Sequence, residues 1–511
     1  MAEAPRTELS LVEHLLGAAE RWPDRPAWTF DLGAAGRTTW TFAQVAAASA
    51  AYAGALAERG VTAGDRVAVM LGNVADSPLL WLALQRLGAA TVPLNVRYRH
   101  DDLAHVLSDS EARLVVAAPE HHDLVRSTGG VAVLAPHELV ADLGTAAERS
   151  ADVVGDQSTS ARPDPDTVVN VQYTSGTTGR PKGCLLTHRY WTTLGASMLE
   201  EFPHLDSDDV MLTAQPFHYV DPQWNVATAL MAGAHLVALD GFHPSTFWAH
   251  VREHEVTYFY CLASMPTLLL RMPPDPADRD HRVRAVQCSA IPPALHADLE
   301  ARWGVGWYEA FGMTETGADI RVGEQEHAAL VGTGCLGRPA AHREVRVDPT
   351  GQLWLRGPGM MRGYLGLDSP FDPDGWFPTG DLARLDDQGR VYLTGRLKDM
   401  IRRSGENIAA VEVEEVLLSH PEVRLAAVVG VPDDVRGEEV MAYVVAPGTD
   451  ADSLAAWCAA RLAPFKVPSR WALRESLPLT ASHRVEKAVL RAETAAPGSP
   501  TVHTGPGRGA R

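Results

Sequence analysis

Tyr173-Thr174-Ser175-Gly176-Thr177-Thr178-Gly179-Arg180-Pro181-Lys182-Gly183 is the stretch from which the rest of the chain can be read. The apolar run before it, Val168-Val169-Asn170-Val171, reads as a buried strand. The loop combines hydroxyls, glycines and one lysine. Glycines let the backbone curl and bring N–H groups close to an anion. The hydroxyls of Thr174, Ser175, Thr177 and Thr178 add donors, and Lys182 adds positive charge. These are the parts of a phosphate grip. It is not a Walker A loop, because Arg180-Pro181 separates the glycine and lysine that the motif keeps adjacent. A flexible linker would need neither the strand before it nor Pro-Lys-Gly after it.

Composition narrows the setting. The chain has 511 residues, enough for about three folding units, and 46% are hydrophobic, ample for large cores. The formal net charge of −19 argues against non-specific nucleic-acid binding and against an anionic membrane surface. In so acidic a chain, phosphate binding must rest on local cations such as Lys182, Arg180 and Arg396. The five cysteines are scattered, with no C-x-x-C pair, which fits neither a disulfide framework nor a zinc site. No signal-like N-terminus and no membrane-length apolar stretch is read, so a cytoplasmic location is expected.

Periodicity predicts an opening helix over 10–21, with Ser10 and Glu13 in capping-box spacing, and an Ala-rich helix over 42–59 closed by Gly60. Strands are expected at 66–71, 90–94 and 112–117, with helices between them, the signature of parallel sheets in an α/β protein. Residues 145–166 read as a surface loop. Further helices are expected at 189–201 and 224–232, with strands at 210–214, 235–239, 257–260 and 283–286. Beyond 335 the strands alternate apolar and polar residues, as in a smaller antiparallel β-unit over about 335–397. From 398 the chain restarts as a compact α+β unit to about 492, and a Pro/Gly/Thr-rich tail over 493–511 reads as disordered.

Four further stretches carry chemistry. Tyr308-Glu309-Ala310-Phe311-Gly312-Met313-Thr314-Glu315 ends in a carboxylate suited to a hard divalent cation. Thr379-Gly380-Asp381 and Gly395-Arg396-Leu397-Lys398-Asp399 offer two polar grips. Arg403-Ser404-Gly405-Glu406-Asn407-Ile408 reads as a glycine turn before a helix. Each signal is weak alone, since an acid after glycine is usually a turn former. Their joint occurrence in this order is specific.

This series resembles the adenylate-forming superfamily of acyl- and aryl-CoA synthetases, luciferases and peptide-synthetase adenylation domains, over about residues 10–492. The resemblance implies a large N-terminal α/β domain followed by a small mobile C-terminal lid. It implies that Thr174, Ser175, Gly176, Thr177, Thr178, Gly179 and Lys182 grip the ATP phosphates. Ser289 and Ala290 would lie along the adenine, Phe311 would stack on it, and Gly312 would give room. Thr314 would contact the α-phosphate, Glu315 would hold Mg²⁺, and Asp381 and Arg396 would bind the ribose. Lys398 would be the hinge of the lid, and His218 would stand beside the acyl pocket, where the bland reading is a core histidine.

One position departs from the pattern. Family members usually carry a Thr-Gly-Lys turn whose lysine reaches the substrate carboxylate. Aligned on Leu477-Pro478, this chain has His483 for the glycine and Arg484 for the lysine, with Lys487 three residues on. Arginine keeps the charge but is a planar fork. The crowded polar stretch His218-Tyr219-Val220-Asp221-Pro222-Gln223-Trp224 disfavours a long aliphatic tail. By family position, Tyr219, Trp224, Cys261, Ser264 and Met313 are candidate pocket residues. Three uses of the ATP site are therefore compatible: a ligase passing a small aromatic or polar acid to coenzyme A through its adenylate; an enzyme that adenylates nitrite and diazotises an amino-aryl acid; and a nucleotide-binding protein without turnover. Oligomeric state is not legible.

Overall fold

The computed structural model describes residues 6–141, 143, 164–174, 181–262, 264–404, 406–433, 435–480, 484–495 and 503–504. The expected grip residues Ser175, Gly176, Thr177, Thr178 and Gly179 lie outside these, as do His483, Gly405 and most of the loop expected over 145–166.

The first sheet contains the strands expected at 66–71, 90–94, 112–117 and 168–171, and two that the sequence reading did not include, Ala132–Leu134 and Lys182–Thr187. Ala132–Leu134, Leu114–Ala117, Arg66–Met70, Ala90–Pro93 and Val168–Thr174 run parallel, and Lys182–Thr187 closes the edge antiparallel to Val168–Thr174. Lys182 and Gly183 thus begin a strand, antiparallel to the one that ends at Thr174.

The second sheet is larger. Its parallel centre runs Trp307–Met313, Ala285–Ser289, Tyr258–Leu262, Val210–Thr213, His235–Leu239 and Pro26–Asp31, with Arg37–Thr41 antiparallel at the edge. The strands Pro26–Asp31 and Arg37–Thr41 are absent from the sequence reading. Beyond Trp307–Met313 the sheet continues antiparallel through Gly317–Arg321, Cys335–Pro339, Val391–Arg396, Phe377–Leu385, Gln352–Arg356 and Glu344–Val347. The antiparallel β-unit expected over about 335–397 is therefore hydrogen-bonded onto the parallel sheet.

Helices fill the space between the two sheets. Leu11–Arg21 starts at Ser10, whose hydroxyl accepts the Glu13 N–H at 3.2 Å while the Glu13 carboxylate accepts the Ser10 N–H at 2.7 Å, both halves of the capping box. Phe42–Glu58, Asp76–Arg86, His188–Glu200 and Val220–Ala232 join it in one core with Val67, Val69 and Leu186 from the first sheet and Trp28, Met211 and Leu236 from the second. The alternate residues Leu212, Val237 and Leu239 turn to a separate core containing Phe259, Trp303 and Trp307. Burial on both faces explains why these strands read as continuous apolar runs.

The small domain forms a third sheet. The turn read at Ser404-Gly405 joins two short strands, Met400–Arg403 and Glu406–Ala409, before the helix Ala410–Leu418. The last helix, Lys487–Ala495, runs only its final turn into the tail expected over 493–511, and within that tail His503–Thr504 pairs with Arg470–Leu473. All five cysteines are free and buried. Among the described residues no helix is long and apolar enough to cross a membrane.

Gly337 has φ +92°, and a Cβ there would lie 2.0 Å from the Arg321 carbonyl oxygen of the neighbouring strand. Gly337→Ala is therefore expected to cost more than about 2 kcal/mol, by backbone strain and by opening the antiparallel extension. Urea denaturation of the purified variant against the parent checks it.

Candidate active site

The expected site residues collect at the carboxyl ends of the parallel strands, where open α/β sheets bind ligands. Thr174 ends one strand and faces Lys182 across the hairpin. The Lys182 ammonium lies 5.3 Å from the centre of the Tyr364 ring. The Tyr364 hydroxyl donates to Glu315 Oε1 at 3.0 Å. Lys182, Tyr364 and Glu315 thus form one connected group. Tyr364 carried no motif signal in the sequence.

Glu315 is half-buried, in the turn between Trp307–Met313 and Gly317–Arg321, with Thr314 beside it. Burial raises its carboxyl above the usual carboxylate range, against the Tyr364 hydrogen bond and the pull of Arg396. A desolvated carboxylate with one side-chain donor fits a hard, oxygen-seeking cation such as Mg²⁺. Two other acid–histidine groups do not invite a metal. Asp31 and Glu253 both bind Arg37, and Asp31 also takes His254 at 2.8 Å. His296 accepts from Gly332 N–H at 3.2 Å and bonds the Trp307 carbonyl at 2.6 Å, so both its ring nitrogens are engaged.

Asp381 and Arg396 are cross-strand partners, and the guanidinium donates to both carboxylate oxygens. The two grips read separately from sequence are one unit. Its carboxylate is buried and its arginine part-exposed.

Ser289, Ala290, Phe311 and Gly312 also come together. Ser289 Oγ donates to the Ala310 carbonyl at 2.7 Å. Ala290 adopts φ +65°. That strained turn is held by Glu309, whose carboxylate accepts the Ala290 N–H at 3.2 Å and the Ile291 N–H at 2.7 Å. Burial lifts the Glu309 carboxyl to about 8. Glu309 sits inside a motif the sequence reading singled out, but its role as a brace needed the fold. At Gly312 a Cβ would lie 2.2 Å from the Gly317 carbonyl oxygen. The close approach of its own hairpin is thus sufficient reason for that glycine.

Next to Phe311 and Gly312 lies a cavity of about 50 Å³, walled largely by apolar side chains such as Leu194, Met211 and Ile320. Of the candidate pocket residues, Trp224 lines it, whereas Tyr219, Cys261, Ser264 and Met313 do not. Asp221, Tyr260, Gln287 and Arg321 do, and sequence reasoning missed them as pocket residues. Gln287 left one clue, a polar residue inside the apolar run Ala285–Ser289. His218 lines a separate, smaller cavity with Trp81 and Gln223. Its ring is buried, Nε2 has no hydrogen-bond partner, and burial lowers its basicity to about 3.

The small domain closes over this region. Arg271 donates to the carbonyls of Pro421 and Val423 at 2.9 and 3.0 Å. Lys398 is exposed at the junction, and the adjacent Asp399 accepts from Arg491 at 2.6 Å. The guanidinium of Arg484 is near enough to act electrostatically on Asp221 and Tyr260 in the cavity wall. Lys487 points elsewhere, bonding Glu414 at 2.7 Å and lying 3.8 Å from Asp399. Of these two cations, Arg484 is the one whose charge is felt at the cavity wall.

Comparison with known proteins agrees with this layout. Residues 16–365 match the family described as AMP-binding enzyme, and 412–484 match the AMP-binding enzyme C-terminal domain. A sulfoacetate–CoA ligase of Cupriavidus necator is 31% identical over 489 residues, 92% of this chain and 95% of that protein. A feruloyl-CoA synthase of Amycolatopsis sp is 33% identical over 479 residues, 89% of this chain and 94% of that protein. The o-succinylbenzoate CoA synthetase of Bacillus subtilis, with its acyl-adenylate intermediate, superposes with a TM-score of 0.81 at 26% identity, covering 96% of this chain and 99% of that one. The same enzyme with ATP and magnesium gives 0.80 at 26%, covering 94% and 99%.

Glu309 supplies a pH test. Its folded carboxyl, at about 8, holds a proton more tightly than the ordinary 4.5 of the unfolded chain. Its contribution to stability is thus complete below about pH 4.5 and is lost as pH rises through 8. Glu309→Gln keeps one acceptor and is expected to flatten that decline, at a cost of about 1–3 kcal/mol near pH 6 for the lost hydrogen bond. Chemical denaturation between pH 5 and 9 reads both effects.

Proposed function

This chain belongs to the AMP-binding enzyme family and is by type an ATP-dependent, AMP-forming acid–CoA ligase; we propose that its acid is small and aromatic or polar, activated as the adenylate and then passed to coenzyme A. The observation that carries the choice of acid is the cavity beside Phe311, about 50 Å³ in volume and with Asp221, Tyr260, Gln287 and Arg321 among its apolar walls, which suits a small acid with polar groups better than a long alkyl tail.

A carboxylate is a poor electrophile. One of its oxygens attacks the α-phosphorus of ATP, the bond to pyrophosphate breaks, and an acyl–AMP anhydride results. The coenzyme A thiol, giving up its proton, then attacks the acyl carbon and AMP leaves with the bonding pair. Such transfers depend mainly on positioning and on neutralising charge.

Thr174 and Lys182, with Ser175, Gly176, Thr177, Thr178 and Gly179, are assigned to the triphosphate, Thr314 to the α-phosphate, and the Asp381–Arg396 unit to the ribose. Ser289, Ala290, Phe311 and Gly312 are assigned to the adenine. Glu315 would hold Mg²⁺, whose charge offsets that of the phosphates. Arg484 is assigned to the acid's carboxylate, in the office lysine usually fills. Rotation about Lys398 would withdraw Arg484 and let coenzyme A approach, and His218 would buttress the pocket from behind. The domain limits that go with this are 1–397 and 398–492. The nitrite reading and the reading without turnover draw support from none of these observations.

Pyrophosphate release across a panel of small acids, with and without coenzyme A, tests the proposal. Acid-dependent release followed by coenzyme A-dependent AMP formation is expected. Release requiring nitrite and an amine instead would overturn it. Lys182→Ala is expected to lower the first step about 100-fold or more. Arg484→Lys should retain the rate within about tenfold while Arg484→Ala loses it, since the charge is needed and its shape less so. Lys487→Ala should lower the melting temperature and leave pyrophosphate release near the parent's.

A further inference from the structure

We propose that the acid accepted by this enzyme carries, besides its carboxylate, an amino or hydroxyl group that donates a hydrogen bond to Asp221. The inference rests on the ligase reading above and adds the chemical class of the substrate.

The helix Val220–Ala232 begins at the cavity wall and puts Asp221 in its first turn. Asn225, one turn on, spends its Nδ2 on the Asp221 backbone carbonyl at 2.9 Å and leaves the carboxylate alone. Burial pushes the Asp221 carboxyl up, and the charge of Arg484 and a hydrogen bond from the residue's own backbone N–H pull it part of the way back. A carboxylate desolvated in this way stays charged most readily when a donor meets it.

The same cavity carries a complementary group. Gln287 is 2% exposed, and its Oε1 accepts from the Tyr258 hydroxyl at 2.8 Å. Its Nε2 is buried with no partner. A buried amide N–H is rarely left unmet, so the cavity lining holds both an acceptor and a donor. The acid's own carboxylate belongs near Gly312 and Arg484, where the α-phosphate would stand. Its remaining polar group then faces Asp221. A second carboxylate there would meet like charge in a dry site, whereas an amino or hydroxyl hydrogen would satisfy it.

The test compares benzoate with meta- and para-aminobenzoate, the matching hydroxybenzoates and isophthalate, in the full-length enzyme. The readout is kcat/KM for pyrophosphate release, with calorimetric binding of each acid in the presence of ATP. The best donor-bearing acid is expected to exceed benzoate and isophthalate by about tenfold or more. In Asp221→Ala that ratio should fall toward one, and Asp221→Asn, which keeps shape and polarity, should lower it for amines more than for hydroxyls. Retained ATP binding certifies the fold of each variant. Equal turnover of all the acids, or a ratio unchanged in Asp221→Ala, overturns the proposal. If no acid is turned over but donor-bearing acids bind more tightly and lose that advantage in Asp221→Ala, the Asp221 assignment stands and the ligase reading falls. The absence of a binding preference as well overturns the assignment.

Discussion

The strand Trp307–Met313 has to satisfy neighbours of opposite sense. Its first half pairs parallel with Ala285–Ser289 and its second half antiparallel with Gly317–Arg321. That change of partner brings three things to one place: the Ala290 turn, the Glu315 turn and the mouth of the cavity. It also dictates the residues that permit it. Gly312 is needed because the hairpin backbone closes onto it. Glu309 is needed because the turn beside the strand leaves two N–H groups pointing inward, and a buried carboxylate can accept both.

Positive charge in this acidic chain is placed, not spread. Lys182 lies over Tyr364, which in turn holds Glu315. Arg396 is clamped on Asp381. Arg484 comes from the small domain and is felt by Asp221 and Tyr260. The three cations come from three separate elements, Lys182 against an aromatic face and Arg396 against a carboxylate. A protein with a net charge of −19 can in this way still draw in a polyphosphate.

Much of this was legible before any fold was seen. The α/β alternation, both halves of the Ser10–Glu13 capping box and the helix from Phe42 follow from local patterns. Thr174, Lys182, Phe311, Glu315, Asp381 and Arg396 stand in motifs whose order in the chain is specific. What stayed hidden was pairwise. Tyr364 has no motif, and it comes to lie under Lys182 because its backbone pairs with Cys184. Asp221 and Gln287 lie more than sixty positions apart and share a wall only because a helix start and a buried strand meet there.

The choice between Arg484 and Lys487 shows the division most clearly. Sequence alone established that the usual lysine is replaced and that a cation remains within reach. It could not say which cation faces the site, because both lie on one short stretch and either fits a reshaped turn. Tertiary structure separates them, since Glu414 and Asp399 hold the Lys487 ammonium within the small domain while the charge of Arg484 is felt by Asp221 at the cavity wall. Local pattern determines which residues are present and in what order. Which of them share a volume is settled by the packing of elements distant in the chain, and charge chemistry acts through that shared volume.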